Sequence, residues 1–184
     1  MTQLSPLLTA VLLLNNFVVA QHIGLRPLKS GSEVLGLGAS TALALLVAAP
    51  LDWLLRHFLL QPLDIAALRI LTAALLAAAL AQVAETLLRR NQPRFFPEQG
   101  SHLPLIIANT LLLLLSAEPT ATLIEISTRA LFCGVSFAIL LFVFQLLRER
   151  VAQADTPQPF RGAALDLISA GLLAIAGSGL VSLW

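Results

Sequence analysis

The chain has 184 residues, of which 58% are hydrophobic and 11% charged, and its formal net charge is +1. Soluble domains carry about 45–50% apolar and about 25% charged residues, so this composition excludes an ordinary soluble enzyme and a basic nucleic-acid-binding module. With a mean hydropathy of +0.88, it describes an integral membrane protein.

The apolar stretches are rich in Leu and Ala and lie near the roughly 20 residues a helix needs to cross a bilayer. They lack the period-two alternation of a membrane barrel, and helices satisfy every backbone donor within their own segment. An all-α fold with six spans is expected.

The first span, about Leu4–Leu25, contains "LLLNNFVVAQHIGLRP". It has no basic leading region and carries amides where a signal peptide would be purely apolar, so it reads as a retained helix. Asn15 and His22 are seven residues apart and share a helix face, while Asn16 points about 100° away. The run ends on Gly24, Leu25, Arg26 and Pro27, which predicts a break. The amides fit either a site beside that break or a hydrogen bond to a neighbouring helix. The second span, about Val34–Leu55, opens on Gly36 and Gly38 and places Trp53 near its end, where interfacial anchoring suits it.

The third span, about Ile65–Leu88, repeats Ala73, Ala77 and Ala81 at every fourth position, so another backbone can approach closely. Arg69 at its start is expected to snorkel. Glu85 precedes Arg89 by four residues, which fits a helix-end ion pair, and as an intramembrane carboxylate it also fits an ion path. The fourth span, Leu103–Leu115, is a thirteen-residue run containing Asn109 and flanked by His102 and Glu118. That length suggests a re-entrant or broken helix as readily as a crossing.

The fifth span, about Thr122–Leu147, holds Cys133, the single cysteine. One thiol makes no internal disulfide and no CxxC site, so a small buried hydrophobe is expected. A polar connector follows, in which Asp155, Pro157, Pro159, Phe160 and Arg161 form a restricted backbone read as a docking surface for neighbouring subunits. The sixth span, about Ala163–Leu183, carries Ala170, Gly171 and Ala174 and ends beside Trp184.

Eight of the eleven basic residues follow the odd-numbered spans, against Arg56, Arg69 and Arg129 elsewhere. The positive-inside rule therefore makes the first, third and fifth loops cytoplasmic and puts both termini on the other side. Three spans per half then lie in opposite orientations. The chain reads as one membrane domain of two inverted repeats, about 1–99 and 100–184, with helices one and four interrupted. Paired interruptions point to a midplane site. The candidates for an ion path or subunit contact are Asn15, Asn16, His22, Glu85 and Asn109. No phosphate-cradling glycine loop, nucleophile–base arrangement or metal spacing among His22, His57 and His102 is present, so no catalytic site or metal site of its own is expected.

"LLLNNFVVAQHIGLRPL", "AQVAETLLRRNQP", "LPLIIANT" and "RERVAQADTPQPFRGAALDLISAGL" resemble, in that order, the A-type subunit of the Rnf (Rsx) complexes. That family also holds the E-type subunit of the same complexes and the D-type and E-type subunits of the sodium-pumping NADH:quinone oxidoreductase. The resemblance implies six helices in an inverted repeat, a bacterial inner-membrane location with both termini periplasmic, and electron transfer between ferredoxin and NAD coupled to sodium or proton movement. It further implies pairing with the homologous E-type subunit, association with the B, C, D and G subunits, and one [2Fe-2S] cluster enclosed by the A-type and E-type pair.

Each member of that pair supplies two cysteines in the family pattern. Here Arg26 and Thr110 occupy both positions. A guanidinium has no free lone pair and a threonine hydroxyl is a hard ligand, whereas cluster iron takes thiolate. The expectation is that this chain binds no cofactor through its own ligands. That leaves a cluster held by the partner with other ligands, a pair without a cluster, or Arg26 as a fixed charge in the vacated site; Arg26 also fits a topogenic charge beside Lys29. A non-redox membrane scaffold or small ion carrier is the alternative function.

Overall fold

The computed structural model describes residues 31–63, 65–96, 102–117, 120–153 and 162–181. The described residues form helices and no strand. In chain order these are α1 (Gly31–Leu55), continued by a π-helical turn (Arg56–Leu60), and α2 (Arg69–Asn91), entered through a short 3-10 turn (Ala66–Leu68). A second 3-10 turn (Pro93–Phe95), α3 (Leu103–Ser116), α4 (Leu123–Ala152) and α5 (Ala163–Val181) follow. They correspond to the second through sixth expected spans. The first span, with Asn15, Asn16, His22 and Arg26, lies outside the described residues, as do the connector residues Asp155–Arg161 and Trp184.

Among the described residues, three stretches are long and apolar enough to cross a membrane: Gly31–Leu60, Arg69–Asn91 and Leu123–Val151. By contrast α3 has 14 residues, about 21 Å of rise against roughly 30 Å of hydrocarbon. The interruption expected within the fourth span is not there, because α3 runs unbroken past Asn109 and Thr110. Thr110 stays helical by turning its hydroxyl back to donate to the Ile106 carbonyl at 2.7 Å.

The termini have identifiable causes. Thr122 and Glu125 form a capping box at the start of α4: the Glu125 amide donates to the Thr122 hydroxyl at 3.3 Å, and the Thr122 amide donates to the Glu125 carboxylate at 2.9 Å. Gly162 precedes α5 with a φ of +85°, a conformation glycine adopts without steric penalty. Its carbonyl accepts from the Leu165 and Asp166 amides. Arg69, expected to snorkel, instead caps the carboxyl end of α3, donating to the carbonyls of Ala117 at 3.0 Å and Leu115 at 3.4 Å. Trp53, read as an interfacial anchor, donates its indole N–H to the Ala121 carbonyl at 2.8 Å and stacks on His57.

The core lies along α1, which packs most extensively on α4 and also on α2 and α3, while α5 lies chiefly against α4. Small residues set the central crossing. A Cβ built on Gly134 would lie 2.9 Å from the Ala42 Cα, and one on Gly38 would lie 3.1 Å from the Ala138 Cβ. The pairing is reciprocal and antiparallel, Gly38 to Ala138 and Ala42 to Gly134. Between helices in lipid, where no hydrophobic force separates inside from outside, such backbone proximity supplies the packing. Leu37, Leu45, Phe137, Leu141 and Phe144 fill the space around it, with Cys133 fully buried among them, as a small hydrophobe would be. Ala73, Ala77, Ala81 and Ala84 form the buried face of α2, so the alanine repeat is a packing face.

Candidate functional site

The buried polar groups are the material for a site, because each must be satisfied inside the bundle. Midway along α3, Asn109 and Thr110 are completely buried. On α1, Ser40 donates to the Gly36 carbonyl at 2.8 Å, whereas the buried Thr41 hydroxyl has no hydrogen-bond partner among the described residues.

Glu85 is 4% exposed, on the same helix as the alanine face. Its carboxylate accepts from Arg89 at 2.9 Å, so the i,i+4 pair expected from the spacing is formed. The Arg89 guanidinium in turn lies over the Phe96 ring, 5.4 Å from its centre.

The structure does not bring Glu85 and Asn109 together. Arg69 at the start of α2 meets the end of α3, so the two helices run antiparallel. This register puts Asn109 near the level of Leu76, and Glu85 about nine residues, or about 13 Å, further along. Asn15, Asn16 and His22 lie outside the described residues.

Two ion pairs were not anticipated. Asp52 is almost fully buried and pairs with Arg56, whose Nε also donates to the Asp52 carbonyl. Their i,i+4 spacing was an available signal. Arg148 Nε meets Asp166 Oδ1 at 3.3 Å and ties α4 to α5. No spacing rule could have found that pair, since its members sit on different helices. A cavity of 30 Å³ at the Asp52 end, bounded by Ala49, Arg56, Leu113, Leu114, Glu125 and Arg129, has room for a water or two.

Thr110 does not fit an iron–sulfur ligand. Its oxygen is a neutral, hard donor, and its proton is committed to the Ile106 carbonyl inside the helix.

The family model described as "Rnf-Nqr subunit, membrane protein" matches residues 4–183. The A subunit of the ion-translocating oxidoreductase complex of Pseudomonas paraeruginosa (strain DSM 24068 / PA7) is 37% identical, over 97% of this chain and 96% of that protein. The subunit of the same name from Azotobacter vinelandii is 36% identical with the same coverage. That from Aeromonas hydrophila is 34% identical over 100% of this chain and 98% of that protein.

Proposed function

Because the chain belongs to the Rnf-Nqr family of membrane subunits, we propose that it is the A-type component of an Rnf-type complex that couples electron transfer to ion translocation. The observation that carries this is similarity along the whole chain to proteins named as that component. The reading includes ferredoxin and NAD as the redox couple, a bacterial inner membrane with periplasmic termini, pairing with the E-type subunit, and contact with the B, C, D and G subunits. The bias of eight basic residues against three supports the orientation.

Six spans in two inverted repeats, about 1–99 and 100–184, belong to the same proposal. Support comes from the α1–α4 crossing, where a shift of 96 residues takes Gly38 to Gly134 and Ala42 to Ala138. The same shift carries the buried Val34, Leu37, Thr41, Leu45 and Ala48 onto the buried Ala130, Cys133, Phe137, Leu141 and Phe144. It also takes Asp52 to Arg148, each the ion-pairing residue near the end of its helix. Reciprocal contacts of this kind are what a two-fold axis between the helices produces.

The chain supplies no ligand to an iron–sulfur cluster in this reading. The hydroxyl of Thr110 and the guanidinium of Arg26 replace the thiolates. Its own contribution is a rigid bundle. Asn15, Asn16 and His22 offer hydrogen-bonding groups at subunit contacts, Asn109 is a polar group enclosed within the bundle itself, and Glu85 is a carboxylate that a cation would reach by displacing Arg89. The same two replacements favour a second reading, a scaffold or small ion carrier without a redox role.

Affinity purification on this chain, with the co-purifying subunits identified by mass, tests membership. Recovery of the other Rnf subunits is expected; a chain recovered alone would overturn the assignment. Iron, acid-labile sulfide and EPR measured on this chain with its E-type partner alone test the ligand reading. Near-stoichiometric iron with a [2Fe-2S] signal would refute it.

A further inference from the structure

The two-fold relation extends beyond the α1–α4 crossing. A shift of 93 residues takes the buried Ala73 and Ala77 of α2 onto the buried Asp166 and Ala170 of α5. The same shift takes the exposed Leu75, Ala79, Gln82 and Val83 onto the exposed Ile168, Leu172, Ile175 and Ala176. It differs by three from the 96 that relates α1 to α4, so the chain joining the paired helices is three residues shorter in the second half. In pattern, α5 stands to α4 as α2 stands to α1.

α3 is the element without a counterpart among the described residues. It packs against both α1 and α2, and Arg69 of α2 caps its carboxyl end. Carrying α1 and α2 onto α4 and α5 therefore calls for a helix that packs against both of those. Among the described residues α5 lies chiefly against α4.

The chain outside the described residues has the length for that place and ends beside it. Residues 4–25 form a run of 22, mostly apolar, about 33 Å if helical. Five residues, 26–30, separate this run from α1, as six, 117–122, separate α3 from α4. Even fully extended, five residues reach no further than about 18 Å. Gly38 faces Ala138 and Ala42 faces Gly134, an antiparallel register that sets Gly31 level with Gln145. The run therefore ends close to the last third of α4. So short a tether holds it near the α4–α5 groove of its own chain, at a high effective concentration that a helix of another subunit does not share.

We infer that the groove between α4 and α5 is the seat of the chain's own first span, residues 4–25, filled from within the chain and closed to helices of neighbouring subunits. This rests on the reading of the chain as two inverted repeats.

Photo-crosslinking in native membranes tests it. p-Benzoyl-phenylalanine is placed singly at Val18, Val19 and Ala20, three consecutive positions that point about 100° apart around a helix, so that at least one faces the seat. The expected adduct lies within one chain, leaves its mass that of a monomer, and maps by peptide mass to residues 123–181. The reciprocal placement at Leu173 of α5, which leaves the first span unaltered, should capture a peptide from residues 1–30. Adducts of the first span with another subunit, with a second copy, with α2 or α3 alone, or with lipid at all three positions would overturn the inference. So would a Leu173 adduct formed only with lipid or another subunit.

A reporter fused to the N-terminus separates the two readings. An N-terminus in the cytoplasm breaks the inverted repeat, and the seat with it. An N-terminus outside, with adducts anywhere but α4 and α5, leaves the repeat standing and overturns the seat alone.

Discussion

Replacing Gly134 with alanine perturbs the bundle where its two central helices come closest. The added methyl would sit 2.9 Å from the Ala42 Cα and 3.1 Å from its Cβ. Carbon atoms rest at about 3.5–4.0 Å, so α1 and α4 must separate by about 0.6 Å or more. The nearest obstacle is backbone, which cannot rotate away. A gap of that size forfeits about a quarter or more of the dispersion attraction of each contact across it, and Leu37, Leu45, Phe137 and Leu141 all pack at this crossing. Overpacking of this kind costs about 1–3 kcal/mol, against a gain of roughly 0.5–1 kcal/mol for removing a glycine from a helix. The net expectation is a loss of about 1–2 kcal/mol, read as a lower SDS fraction at the unfolding midpoint in mixed micelles. Gly171→Ala is the matched control: a Cβ there meets nothing within 4 Å, so only the helix gain remains. Adding Ala42→Gly to Gly134→Ala should recover part of the loss, because the 3.1 Å contact disappears while the 2.9 Å contact stays. Equal stability of Gly134→Ala and Gly171→Ala would refute the close crossing.

Trp53→Phe keeps the ring but removes the donor to the Ala121 carbonyl, and the same SDS titration should show a loss of about 1 kcal/mol. A double-mutant cycle of Arg148→Gln and Asp166→Asn should give a coupling below about 1 kcal/mol, because the arginine side chain is 29% exposed and solvent screens the pair; a coupling near zero would remove this latch between α4 and α5. If Glu85 lines an ion path, Glu85→Gln lowers ion transport by the assembled complex, and Glu85→Gln with Arg89→Gln does not restore it. Full recovery in the double variant would assign Glu85 to the ion pair alone.

Much of the architecture was legible in the sequence because its causes are local. Long Leu- and Ala-rich runs can only be helices in a bilayer, so the class and the bounds of α1 to α5 follow within a few residues. The Glu85–Arg89 pair followed from i,i+4 geometry, and the burial of Cys133 from its chemistry. Hydropathy could not say which side of each helix faces protein, since a lipid-facing leucine and a buried one have the same transfer energy. The exposure of Gln82 and Thr86 beside the buried Glu85 therefore emerged only from the packed bundle. So did the roles of Arg69, Trp53 and Asp166, whose partners lie on other elements. Gly134 is the clearest instance. Nothing in its own neighbourhood distinguishes it from Gly171, and its importance comes from Ala42, brought against it by the antiparallel crossing of α1 and α4.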